Sequence, residues 1–72
     1  MDRRLQLAAK LRERRKRLRL TMQQAATRAG VSRDTWTRWE TGLSAIPLEM
    51  VHQITTVVGD VWLPDIREQL VA

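Results

Sequence analysis

The sequence predicts an all-α fold, a compact domain of five short helices, on three observations. Apolar residues recur at steps of three and four, glycines and prolines fall where helices would start and stop, and no stretch alternates in the manner of a strand. The 72 residues are 43% apolar, enough for one small core that buries roughly 60% of the unfolded chain's surface. No linker, repeat or low-complexity stretch divides them, so residues 1–72 read as a single domain.

Helix one is expected over residues 3 to 18, with Asp2 placed to cap it. Leu7, Leu11 and Leu18, with Ala8 beside them, form its apolar stripe, and Lys10, Arg12, Arg14, Lys16 and Arg17 occupy the other faces. The stripe runs over position 15, where an arginine stands instead of an aliphatic residue. Arg15 therefore either snorkels to water from the stripe's edge or has a buried partner.

Thr21 precedes a second helix from Met22 to Ala29, which Gly30 ends, and Ser32 then caps a third from Arg33 to Thr41, which Gly42 ends. Two short helices joined by "AGVS" make a tight helix-turn-helix over about residues 21–42. In helix three, Trp36, Trp39 and Glu40 share one face, and Arg33, Asp34, Thr37, Arg38 and Thr41 share the other. Indoles three positions apart among arginines have three uses: stacking on bases, gripping a membrane, or filling a core. Their shared face turns them inward, which leaves outside a polar set of a length suited to base edges and phosphates.

Pro47 is suited to a first helical position, and helix four is expected from there to Val58, with Leu48, Val51, Ile54, Val57 and Val58 apolar and Gly59 closing it. The fifth is expected from about Pro64 to Leu70, with Ile66 and Leu70 four apart; a start one turn earlier, at Asp60, is left open.

The net charge of +5 conceals an asymmetry. Through residue 39, twelve cations face Asp2, Glu13 and Asp34, for +9; beyond it Arg67 alone faces Glu40, Glu49, Asp60, Asp65 and Glu68, for −4. A basic half of this kind favours a polyphosphate partner, although an anionic membrane surface would attract it too. Without cysteine there is no disulfide, thiolate metal site or cysteine nucleophile, and His52 has no second imidazole to make a ligand set. It is expected to be neutral and partly buried, with no metal and no cofactor. Ser32 and Ser44 lack a convincing base, so no enzyme is expected. No signal-peptide or membrane-span pattern is present, which reads as a cytoplasmic protein.

The string "LTMQQAATRAGVSRDTWTRWETG" resembles the helix-turn-helix of the lambda-repressor and Cro class, the xenobiotic-response-element-like regulators. The similarity extends over nearly the whole chain, including the basic first helix and the spacing from Gly42 to Gly59. It implies a lambda-repressor-like DNA-binding domain in which Ser32, Arg33, Asp34, Thr37 and Arg38 reach bases or adjacent phosphates. It also implies that Glu40 forms a buried structural pair with Arg15, the partner that the stripe demanded. Arg33 and Arg38 are the expected readers of guanine, while Asp34 either accepts from cytosine N4 or, the favoured use, steadies Arg38 four residues on. The expected phosphate contacts are Arg12, Thr21, Gln23, Arg28 and Thr35, with the helix N-termini.

Three departures from the family stand out. Met22 replaces the glutamine that usually holds a phosphate at the start of helix two; "LSAI" after Gly42 offers no basic residue; and Ala25 and Ala29 are small where leucine is common. The last is balanced by Trp36 in an isoleucine position, consistent with a core indole. Trp39 stands where tryptophan is usual.

The expected function is a sequence-specific, double-stranded-DNA-binding transcriptional regulator, a small Cro-like repressor acting as a homodimer on a palindromic operator. Val57 and Val58 do not easily both face inward beside Ile54, so the dimer surface is expected within residues 57–72 and nearby, at Leu43, Val57, Val61, Trp62 and Leu63, with Trp62 equally suited to the core. One alternative is an antitoxin of the same fold whose C-terminal surface holds a toxin. Another is a membrane-surface protein using the cationic helix at 3 to 18.

Overall fold

The computed structural model describes residues 3–59, and within them the backbone is helical with no strand. The order is α1 (Arg3–Arg17), α2 (Met22–Ala29), α3 (Arg33–Thr41), a 3₁₀ turn (Leu48–Met50) and α4 (Val51–Val58). The expected fifth helix, Asp2 and the candidate dimer residues Val61, Trp62 and Leu63 lie outside the described residues.

α1 delivers Leu7, Ala8 and Leu11 to the interior and stops one residue sooner than its apolar spacing suggested. Arg19 takes a left-handed φ of 59°. Its N–H donates to the Lys16 carbonyl at 3.0 Å and the Leu20 N–H to the Arg15 carbonyl at 3.1 Å, which together satisfy two of the open carbonyls of the last turn. The reversal swings Leu20 into the core and leaves Leu18 46% exposed, correcting its place on the buried stripe. An arginine in a position usually given to glycine hid this stop.

α2 begins with a capping box. The Thr21 hydroxyl accepts the Gln24 N–H at 3.0 Å, and the Gln24 side-chain oxygen accepts the Thr21 N–H at 2.9 Å. Gly30, at φ 78°, reverses the chain, and the Val31 N–H returns to the Ala26 carbonyl at 3.0 Å. Ser32 opens α3 by accepting the Thr35 N–H at 3.1 Å, and Gly42 closes it.

Pro47 does not open an α-helix as its fixed φ suggested. With ψ at 143° it is extended, ahead of the 3₁₀ turn, so Leu48 is 53% exposed and α4 proper starts at Val51. α4 packs against both α2 and α1. Two walls cover two adjacent faces, so Ile54, Val57 and Val58 are all buried. This removes Val57 from the expected dimer surface, against the expectation that Val57 and Val58 would not easily both face inward. His52, expected to be partly buried, is exposed on the side of α4 away from those walls.

α3 lies against α1 and α2, with Trp36 fully buried and Trp39 nearly so. The two rings meet edge to face, 5.8 Å between centroids at 61°. Ala25, Ala26 and Ala29 form the low wall that gives this bulk room.

Candidate nucleic-acid interface

Three groups on two helices hold α3 in its rotation. Arg15 presents a fork to Glu40, with Nε donating to Oε2 at 2.7 Å and Nη2 to Oε1 at 3.2 Å, while Nη1 donates to the Leu20 carbonyl at 2.8 Å. The Trp36 indole N–H donates to the same Glu40 carboxylate. Arg15 and Glu40 are both buried, and no buried side-chain polar atom among the described residues lacks a partner. The pair inferred from resemblance is therefore present. The indole bond is an addition that volume matching could not reveal, although the spacing of positions 36 and 40 by four permits it.

With one face of α3 fastened to the interior, the opposite face is turned out. Arg33, Asp34, Arg38 and Thr41 are exposed and Thr37 is half-buried. Asp34 Oδ2 lies 3.3 Å from Arg38 Nε, so the carboxylate steadies the arginine, the use favoured on spacing. Both partners are more than half exposed, at 58% and 77%, and such a pair orients more than it stabilises.

The hydroxyls of this region are engaged by groups of the protein at its surface. Ser32 donates to Thr35 Oγ1 at 2.9 Å, Thr37 to the Arg33 carbonyl at 2.9 Å, and Thr41 to the Thr37 carbonyl at 2.9 Å. The Thr37 oxygen also lies 3.3 Å from the Met22 sulfur, so the residue that replaces the family's glutamine rests its thioether against the recognition helix.

The expected phosphate contacts are spread over the surface. Thr21 is engaged in its capping box, Gln23 donates to Thr27 Oγ1 at 3.1 Å, and Arg28 is exposed. Thr35 is half-buried at the start of α3. Arg12 lines a groove between α1 and the end of α3, together with Leu5, Ala8, Lys16 and Thr41. The structure thus brings together the outer residues of α3 and sets Arg12 beside its C-terminal end. Leu43 is 75% exposed, as a surface role requires.

One cation does something its position on α1 did not announce. Arg14 Nε donates to the Val58 carbonyl at 3.0 Å, closing the C-terminus of α4 with a positive charge. A Cβ on Gly59 would stand 2.9 Å from Arg14 Nη2, and the backbone there has φ 81° and ψ −172°, a region open essentially to glycine alone.

A model of a helix-turn-helix domain family matches residues 6–59 of the 72. The chain belongs to that family. The match covers α2, α3 and α4 and all but the first three residues of α1, and it agrees with the resemblance to Cro and lambda repressor carried by residues 20–42. Neither a curated protein nor a solved structure matches the chain. Membership in the helix-turn-helix family makes DNA binding the activity with which the outward face of α3 is to be compared. No helix of the described residues is long and apolar enough to cross a membrane, and these residues contain no group of three or more metal-ligating side chains.

Proposed function

We propose that this helix-turn-helix protein is a sequence-selective, double-stranded-DNA-binding regulator, a small Cro-like repressor that acts in the cytoplasm and occupies a palindromic operator as a homodimer. The observation that carries the reading is the rotation of α3. Trp36, Trp39 and Glu40 are buried, so Arg33, Asp34, Thr37 and Arg38 form the face presented outward.

On this reading α3 lies in the major groove. Arg33 and the terminal nitrogens of Arg38 donate to O6 and N7 of guanine, each pair worth about 1–3 kcal/mol of discrimination. Asp34 holds the Arg38 Nε edge and so limits the directions in which its remaining donors point. Arg12, Arg28 and the N-terminal N–H groups of α2 and α3 meet phosphates, fixing register without reading sequence. One module makes few base contacts, and two of them on half-sites about 34 Å apart would supply the rest. The work is recognition and not catalysis. Burial of Trp36 and Trp39 also withholds those two indoles, among the described residues, from a membrane surface.

Selection of bound sequences from a random duplex pool tests the proposal, with sedimentation of the protein alone and on the selected duplex. The expected result is an inverted repeat bound by two copies. Equal retention of all duplexes near physiological salt would reject it.

A further inference from the structure

We propose that Thr37 reads DNA through its methyl group and so selects a thymine, an inference that rests on the DNA-binding reading above. A threonine hydroxyl carries one proton. In Thr37 that oxygen lies 2.9 Å from the Arg33 carbonyl, and its other near neighbour is the Met22 sulfur at 3.3 Å. The proton is committed within the protein on either geometry, so it is not available to a base acceptor.

The neighbouring hydroxyls are committed in the same way. Ser32 donates to Thr35 and Thr41 to the Thr37 carbonyl. The charged donors on the outward face are Arg33 and Arg38, and between them stands a half-buried threonine whose oxygen lies against a thioether. Met22 is itself half-buried and packed against the core. Met22 and Thr37, which meet through sulfur and hydroxyl oxygen, bring a thioether and a methyl group beside those arginines.

Among the four bases only thymine offers a methyl group in the major groove, and threonine methyl against thymine methyl is a recognised pairing. Withdrawing one methyl group from water is worth about a fourfold change in affinity. An acceptor role for the same oxygen, toward adenine N6 or cytosine N4, is the competing use.

The experiment takes the full chain and its selected duplex and replaces each thymine in turn with deoxyuridine, which lacks only the C5 methyl. One thymine in each half-site should prove sensitive, its loss weakening the parent protein about fourfold. Thr37→Val, which keeps a methyl and removes the hydroxyl, should preserve that sensitivity. Thr37→Ser, which keeps the hydroxyl, should bind the thymine and uracil duplexes alike. A thermal melt of each variant confirms that it is folded.

Uniform indifference to deoxyuridine, with selective binding intact, would overturn the inference and leave the DNA-binding reading standing. So would a Thr37→Val variant that loses base preference at the sensitive position, since that outcome assigns the role to the oxygen. A protein that selects no duplex at all brings down the parent reading, and this one with it.

Discussion

Replacing Glu40 by alanine should damage the fold more than any surface change on α3, because one carboxylate accepts three hydrogen bonds from the interior. Two come from Arg15, at 2.7 and 3.2 Å, and one from the Trp36 indole. Without Glu40 the buried guanidinium keeps only the Leu20 carbonyl, at 2.8 Å from Nη1. Breaking a buried pair from one side costs about 3–5 kcal/mol, and an orphaned buried donor such as the indole N–H about 1–3 kcal/mol. The two losses share one site and do not add in full, so a net loss of about 4 kcal/mol is expected. A domain of this size has about 4–11 kcal/mol of total stability. At about 4–8 °C per kcal/mol, Tm should fall by about 15 °C or more, read by far-UV circular dichroism and by a lower urea midpoint with unchanged slope. Glu40→Gln, which retains one good acceptor, should lie between parent and alanine. The double variant Arg15→Met, Glu40→Leu should regain part of the loss, since it removes the stranded charge as well as its partner but leaves the Trp36 indole N–H and the Leu20 carbonyl without theirs. A Glu40→Ala melt within about 2 °C of the parent would refute the reasoning. A double variant as unstable as the single would show that something other than an uncompensated charge sets the cost.

The remaining predictions concern backbone, caps and surface. Gly59→Ala should destabilise by about 1–3 kcal/mol, because its backbone region is closed to alanine; Gly30→Ala, with open space around it, should lose only the left-handed cost of about 1–2 kcal/mol, and the reverse order in urea titrations would contradict the backbone conformation assigned to Gly59. Ser32→Ala should remove about 1 kcal/mol by uncapping α3, with an unchanged urea midpoint as the contrary result. Arg38→Ala should relax base preference at one operator position, whereas Arg28→Ala should weaken selected and random duplexes alike and reduce the salt slope by about one unit. Equal losses on both duplexes for Arg38→Ala would take it out of the base-reading set.

Much of this was legible in the order of residues, because it depends on interactions within one helix or one turn. Thr21 with Gln24, Ser32 with Thr35, and Gly30 and Gly42 at helix ends are local hydrogen-bonding devices, and α2 and α3 begin and end where those residues stand. The same locality makes the inward face of Trp36, Trp39 and Glu40 readable from spacing alone and made the i, i+4 pairing of Asp34 with Arg38 the favoured of its two uses.

Burial on two sides was not readable in that way. Val57 and Val58 are both interior because α4 meets α2 on one side and α1 on the other, and a single amphipathic stripe has no means of recording a second wall. Arg19 ends α1 in a conformation its own side chain disfavours, and the gain is Leu20 in the core and its carbonyl on Arg15. Arg14 turned from one more cation on a basic helix into the clasp on α4 only when a carbonyl 44 residues away arrived beside it. The sequence by itself determined the helices of the helix-turn-helix and which face of α3 looks inward, since these follow from periodicity and capping within about ten residues of chain. Tertiary structure alone decided where α1 stops, which residues of α4 are hidden, and which side chains hold the pieces together, because those choices depend on surfaces and charges brought near only when the chain closes on itself.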